Sequence, residues 1–331
     1  MTYNPALDGI RAVSVLAVVL FHCGLPGAQG GFVGLDIFFV LSGFLITTLL
    51  AAEHRAGGID AGRFYLRRAL RLYPTLLLLS AAHLGRAPFL WPGDRQWVSA
   101  ALAAFYLYDY ALAFSTNLSY TIGHTWSLGV EEQFYLLWPL VLPWLLRTRR
   151  PVAWLLGAFV LITAWRYGSA ISWRWQQAYF SFDTRMSGIV LGAAAALARP
   201  RMSSLSVGVA CVALAIVAAM PSLPLADQVS AVTLRVTLAE LCALVLVCHA
   251  AEHADGKVLA WPPLAYVGRL SYGIYLWHFP AALLLSGAPL WARLGGTLAF
   301  SFAMAALCLH LVDGPLRKWS KGPAAALRGA S

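Results

Sequence analysis

The chain has 331 residues, 60% of them hydrophobic and only 11% charged, against about 25% charged in an ordinary soluble domain, so there is too little charge to cover the surface of a soluble fold. Its 24 Lys+Arg against 14 Asp+Glu leave a net charge of +10. The basic residues fall in short segments between apolar runs, as the Lys/Arg excess of cytoplasmic loops does, and this accounts for the charge without nucleic acid as a partner.

The first apolar run, Ala12 to Cys23, is followed by no small-residue cleavage site and carries Asp8 and Arg11 at its edge, so it is read as a membrane helix rather than a signal peptide. Apolar runs then give ten predicted spans at 8–24, 34–51, 72–85, 131–147, 152–168, 184–199, 203–220, 229–249, 264–285 and 291–312. With a cytoplasmic N-terminus, ten spans put every basic segment inside: Arg55 to Arg71, Arg147 to Arg150, Arg199 to Arg201, the Lys257 region and Arg317 to Arg328. The C-terminus is then cytoplasmic as well, and the segments 24–31 and 115–129, with Asn117 in the second, face outward. The run from Trp97 to Phe114 is left over, and counting it as a crossing would move every later basic segment outside. It is therefore predicted to be re-entrant or interfacial, a setting that suits its Tyr106, Tyr108, Asp109 and Tyr110. The expected fold is an all-α polytopic protein of the inner (plasma) membrane, one domain over residues 1–331, with no internal repeat. The small residues from Gly188 to Ala198 read as a close helix-packing surface. Five cysteines, Cys23, Cys211, Cys242, Cys248 and Cys308, have no metal-ligand spacing and are expected to be free buried thiols; no metal is expected.

Several polar groups inside these runs ask for a function. Arg11 and His22 are eleven positions apart, three turns plus about 20°, so they share a helix face about 16 Å apart along the axis. Asp8 joins them in a polar stripe, and such stripes face the interior of a helix bundle. The Gly-rich start of the second span carries Asp36; helix packing explains its glycines but not this carboxylate, for which His22 or Arg11 is the expected partner. In FYLRRALRLYP, Phe64, Arg68 and Arg71 share a face, where guanidinium forks grip phosphates or anchor the chain to anionic lipid. In HTWSLGVEEQFYLLWP, Glu131 is expected at the outer mouth of its span, on one face with Tyr135 and Trp138, a surface suited to holding sugars or fixing an imidazole. In RLSYGIYLWHFP, Ser271, Tyr275 and His278 align and either bond to neighbouring helices or line a cavity.

Taken together, Arg11 and His22, the GGFVGLDIFFVLSGFLIT block, FYLRRALRLYP, TWSLGVEEQFY and SYGIYLWHFP, in that order, resemble the acyltransferase-3 family of integral membrane O-acyltransferases along nearly the whole chain. The resemblance implies transfer of an acyl group, most often acetyl, from acetyl-CoA or another acyl-CoA to a hydroxyl of a glycan or glycolipid such as O-antigen, exopolysaccharide or peptidoglycan. Some members acylate macrolides or other small products. It implies His22 as the catalytic residue and Arg68 and Arg71 as essential, with acyl-CoA a co-substrate rather than a tightly bound cofactor. Larger members carry a C-terminal SGNH-type domain that this chain is expected to lack. Within TRMSGIVLG many relatives have an acidic residue near Ser187, and only Arg185 is carried over from that motif.

The expected site therefore has His22 oriented by Asp36 or Glu131, CoA phosphates against Arg68, Arg71 and Arg11, and a substrate cavity formed by Trp126, Ser127, Tyr135, Arg185, Ser271, Tyr275 and His278. His22 acts either as general base or as an acylated nucleophile, both of which need the same ring nitrogen. The rival reading is a proton or solute transporter using Arg11, Asp36, Glu131 and His278; the inverted repeats common in such proteins are not visible. The sequence does not speak to oligomeric state.

Overall fold

The computed structural model describes residues 3–90, 95–114, 120–172, 175–221 and 225–316. The basic segment from Arg317 to Arg328 and the loop position Asn117 lie outside the described residues. Among the described residues the structure is helical, with no β-strand. In chain order the helices are α1 (Pro5–His22), α2 (Gly34–Arg55), α3 (Ala61–Leu90), α4 (Gln96–Ala104), α5 (Tyr108–Phe114), α6 (Trp126–Leu146), α7 (Pro151–Ser172), α8 (Trp175–Phe180), α9 (Phe182–Arg185), α10 (Ser187–Ala198), α11 (Ser204–Ala219), α12 (Leu225–Ser230), α13 (Val236–Glu252), α14 (Pro262–Leu284) and α15 (Leu290–Leu307). A π-helical turn, Ala231–Arg235, joins α12 to α13, and a second, Cys308–Asp313, follows α15.

Local chemistry sets several helix ends. Asn4 caps α1 through its side-chain oxygen, which accepts from Ala6 N at 3.0 Å and Leu7 N at 3.3 Å, and Pro5 occupies a first-turn position that needs no N–H partner. Pro262 starts α14 in the same way.

Five stretches are long and apolar enough to cross a membrane: Pro5–His22, Gly31–Arg55, Pro151–Ser172, Gln228–Glu252 and Leu290–Leu316. The protein is a multi-pass membrane protein of the all-α class. The leftover run at Trp97 to Phe114 folds as α4 and α5, broken where Tyr106 takes a positive φ of 56°. At about 1.5 Å per residue neither helix reaches across a hydrocarbon core of about 30 Å. The helical face read from Phe64, Arg68 and Arg71 forms in the first turns of α3, a single helix of 30 residues. One expectation needs correction. Of the five cysteines, all free, Cys211 is exposed, because its helix α11 buries only Ala210 and Val217.

The tightest packing is backbone on backbone. A side chain at Gly43 of α2 would collide with the Ile189 carbonyl of α10, and one at Gly192 with the Val40 carbonyl of α2, so glycine on each side lets these helices close together. Helix α1 lies along α14, which in turn packs against α15.

The helices share two ends. At one, Asn4 Nδ2 donates to the Ala250 carbonyl at 2.9 Å and Arg201 faces Glu252 at 3.8 Å, so the start of α1, the end of α10 and the end of α13 meet among basic residues. At the other, Gly30 N–H donates to the Ala218 carbonyl at 2.9 Å, and the ring of His22 meets those of His278 at 5.0 Å and Phe279 at 4.8 Å.

Candidate active site

Among the described residues, two of the cavities bring polar site residues together. The first, about 340 Å³, is lined by Arg11 from α1, Arg67, Arg68 and Arg71 from α3, and Glu131 from α6. Phe64 lines it with Arg68 and Arg71, the face their spacing predicts, and Ser127, Tyr135, Ser271 and Tyr275 complete the wall. Arg68 stands over the Tyr135 ring at 3.4 Å from its centre and bonds Glu132 Oε1 at 2.7 Å, with Glu131 Oε2 at 3.9 Å. Its donor fork is thus braced by α6. Arg11 is held by Asp8 at 2.6 Å, and Arg67 faces Glu53 at 3.6 Å. Glu131 is engaged by neighbouring helices: Ser42 Oγ donates to its Oε1 at 2.7 Å, and Arg68 stands 3.9 Å from its Oε2, because its position on α6 is turned toward α2 and α3.

The second cavity, about 330 Å³, lies at the histidine end, where His22, His124, Phe32, Tyr120, Trp126 and Tyr179 line it. Leu35 and Tyr275 belong to both cavities, and the neighbours Trp126 and Ser127 face one each. Tyr275 is held in this partition, donating to the His124 carbonyl at 2.5 Å and lying 2.6 Å from Ser127 Oγ.

Hydrogen bonds determine which nitrogen of His22 is available. His278 Nδ1 is 2.6 Å from the Tyr275 carbonyl, and a carbonyl only accepts, so His278 carries its proton on Nδ1 and its Nε2 is an acceptor. His22 Nδ1 lies 3.1 Å from that Nε2 and 3.1 Å from the Val18 carbonyl. Both are acceptors, so His22 Nδ1 bears the proton, and among the described residues its Nε2 lone pair is unengaged. The predicted orienting carboxylates are therefore replaced by a second imidazole. His124, which the sequence reading passed over inside HTWSL, follows the same rule: Nε2 donates to the Leu276 carbonyl at 3.1 Å, and its buried Nδ1 has no hydrogen-bond partner among the described residues.

Asp36 is not beside His22 or Arg11. It pairs with Arg185 at 2.7 Å, both side chains being fully enclosed, and neither lines either cavity. Nearby, Arg166 meets both oxygens of Glu240 at 3.1 and 3.0 Å. Ser187 Oγ donates to the same Glu240 carboxylate. Arg166 and Glu240 were missed in the sequence; the available signal was two unexplained charges within apolar runs.

The acyltransferase domain of the acyltransferase-3 family matches residues 4–312. The chain belongs to that family, which is one of acyltransferases. The protein YrhL of Bacillus subtilis is 31% identical over 95% of this chain and 55% of its own length. The peptidoglycan O-acetyltransferase OatA of Listeria monocytogenes is 28% identical over 96% of this chain and 56% of its own, and the O-acetyltransferase OatA of Staphylococcus aureus 29% over 96% and 57%. The chain spans about half the length of the curated relatives it matches. No solved structure matches it.

Proposed function

We propose that the protein is a membrane O-acetyltransferase that moves an acetyl group from acetyl-CoA to a hydroxyl of a cell-surface glycan, with peptidoglycan the first acceptor to test because the Listeria relative is named a peptidoglycan O-acetyltransferase. The observation that carries this reading is His22, with its Nε2 lone pair unengaged, lining a cavity that shares Leu35 and Tyr275 with an arginine-lined one.

In this reading ten spans cross the bilayer, namely α1, α2, α3, α6, α7, α9 continued by α10, α11, α13, α14 and α15, with α4 and α5 at an interface and both termini cytoplasmic. The basic end then faces the cytoplasm, where CoA is found. Arg11, Arg67, Arg68 and Arg71 hold the CoA phosphates, and the extended pantetheine arm carries the thioester toward Tyr275. His22 lies about 16 Å from Arg11 along α1, within reach of such an arm.

The acceptor hydroxyl gives its proton to His22 Nε2 as its oxygen attacks the thioester carbonyl. The C–S bond breaks, the CoA thiolate leaves, and the proton passes from His22 to sulfur. The charge that forms on His22 is shared through Nδ1–H with His278 Nε2, whose own Nδ1–H is fixed on the Tyr275 carbonyl. An acetyl-His22 intermediate uses the same Nε2 nitrogen and is distinguished by trapping labelled enzyme without acceptor. The direct test is purified protein in detergent with acetyl-CoA and a glycan fragment. Free CoA and an acetylated product are expected from the wild type and absent with His22→Ala. Mass spectrometry of surface glycans from cells with and without the gene should show loss of an acetyl-sized mass.

A further inference from the structure

The first cavity is basic at one end, yet it holds one acidic group at its middle. On α6 the lining residues Ser127, Glu131 and Tyr135 follow at i, i+4 and i+8, so they descend a single helix face in steps of about 6 Å. Ser127 Oγ lies 2.6 Å from the Tyr275 hydroxyl, in the partition between the two cavities. Tyr135 carries Arg68 on its ring at 3.4 Å. Glu131 therefore stands one turn from the partition and one turn from the level of the arginines. At the same depth on a second wall is Ser271, which precedes Tyr275 by one turn of α14. The two oxygens of Glu131 differ in their partners. Oε1 accepts from Ser42 Oγ at 2.7 Å, which fixes the carboxylate from α2. Oε2 is 3.9 Å from Arg68 Nη2, beyond hydrogen-bond reach. Arg68 itself meets Glu132 Oε1 at 2.7 Å through both Nε and Nη2, so its charge is already matched by the neighbouring carboxylate. The Glu131 side chain keeps 16% of its surface exposed, which leaves it reachable from the cavity.

A carboxylate beyond a cluster of arginines repels any anion that passes them, so the part of a ligand that reaches Glu131 is neutral. An ionised carboxylate only accepts hydrogen bonds, so that part also carries a donor. A carboxylate and a hydroxyl at one depth on two walls suit an amide, whose trans N–H and C=O point in opposite directions. The pantetheine arm of an acyl-CoA has this chemistry, being a neutral chain with amides. When its thioester is at the Tyr275 partition, the cysteamine amide, one ethylene link from sulfur, comes to the depth of Glu131. We propose that Glu131 Oε2 accepts the cysteamine amide N–H of the acyl-CoA, with Ser42 holding the carboxylate in place. This deepens, and rests on, the acyl-CoA reading of the same cavity. Held at this amide, the arm has its thioester registered against the partition, and the arginines are left to the phosphates.

Equilibrium binding to the purified full chain in detergent tests the contact without requiring turnover or an acceptor. Three probes are compared: CoA, a CoA analogue in which the cysteamine amide is an ester, with oxygen in place of N–H, and 3′-phosphoadenosine 5′-diphosphate, which keeps the phosphates and lacks the arm. The wild type should bind CoA about 10- to 100-fold more tightly than the ester analogue, the range of a charge-assisted hydrogen bond. In Glu131→Ala the affinity for CoA should fall by about the same factor and the CoA-to-ester ratio should approach one. The armless nucleotide should bind this variant at least as well as the wild type, because a repelling charge has gone. Glu131→Gln keeps an acceptor oxygen and should keep part of the preference for CoA. A wild-type CoA-to-ester ratio within about twofold of one overturns the proposal with no variant needed, and so does a preference that survives Glu131→Ala. Equal losses for CoA and the armless nucleotide in Glu131→Ala would make Glu131 a brace for Arg68 and also overturn it. Should the wild type bind neither CoA nor the nucleotide, the acyl-CoA reading falls and the contact with it; binding of both without discrimination against the ester removes the contact alone.

Discussion

Two sets of arginines lie inside this bundle and are used differently. Arg166 and Arg185 are fully enclosed, and each meets a carboxylate, Glu240 and Asp36, at hydrogen-bond distance. Arg11, Arg67, Arg68 and Arg71 stand at the wall of a cavity in which Glu131 is the one lining carboxylate among the described residues, with Asp8, Glu53 and Glu132 bracing them from the side. In the dry set each charge is matched by a carboxylate within the protein, since an unmatched charge in low dielectric costs several kcal/mol. In the cavity set the positive charge faces an open volume and can meet a ligand. Burial alone therefore does not mark a functional arginine here; what marks it is a cavity on the far side of the ion pair.

The largest effect should come from the group that belongs to neither set. His22→Ala is expected to lower acetyl transfer by at least 10²- to 10⁴-fold, the typical contribution of a general base, with membrane insertion and CoA binding retained. Asn or Gln at this position should fail equally. Near-normal turnover by a folded His22→Ala protein would move the chemistry to His278 or His124.

Breaking the dry set should show in stability rather than in substrate binding. Arg166→Ala strands Glu240 and is expected to cost about 3–5 kcal/mol, read as lower yield and an earlier thermal transition in detergent. The double variant Arg166→Met with Glu240→Leu removes both charges and should recover most of that loss. If it fails to recover while the fold is kept, the pair has a role beyond packing.

The cavity set should behave in the opposite way. Arg71→Ala is expected to weaken acetyl-CoA binding by about 10- to 100-fold with little change in thermal stability, and Arg71→Lys to restore it in part, because a point charge lacks the bidentate fork. Arg68→Ala should lose affinity and some stability together, since it also leaves Glu132 without its partner. CoA affinity unchanged in both Ala variants would reduce α3 to a lipid anchor. The smallest effect belongs to an ordinary buried bond: Trp138 Nε1 donates to Thr47 Oγ1 at 2.8 Å, and Trp138→Phe should cost about 0.5–1.5 kcal/mol in the same thermal assay without a specific loss of CoA affinity.

Much of the site was legible because helical faces depend only on spacing along the chain. Phe64, Arg68 and Arg71 line one cavity together, and Ser271 and Tyr275 join them from α14. The run at Trp97 to Phe114 was recognisable as something other than a crossing from the positions of the basic segments. Partners were not legible. Asp36 or Glu131 was expected to orient His22, whereas Asp36 pairs 149 positions away with Arg185 and Glu131 is taken by Ser42.

The amino-acid sequence by itself determined that this is a membrane-embedded helical protein, which faces of its helices are polar, and that Arg11 and His22 share a stripe, because composition and periodicity are local properties. Tertiary structure alone decided that His22 meets His278 across 256 positions, that Arg166 meets Glu240 across 74, and that Ser42 meets Glu131 across 89. Which face turns to which neighbour is set by close packing such as that of Gly43 and Gly192 between α2 and α10, and that packing depends on residues far apart in the chain.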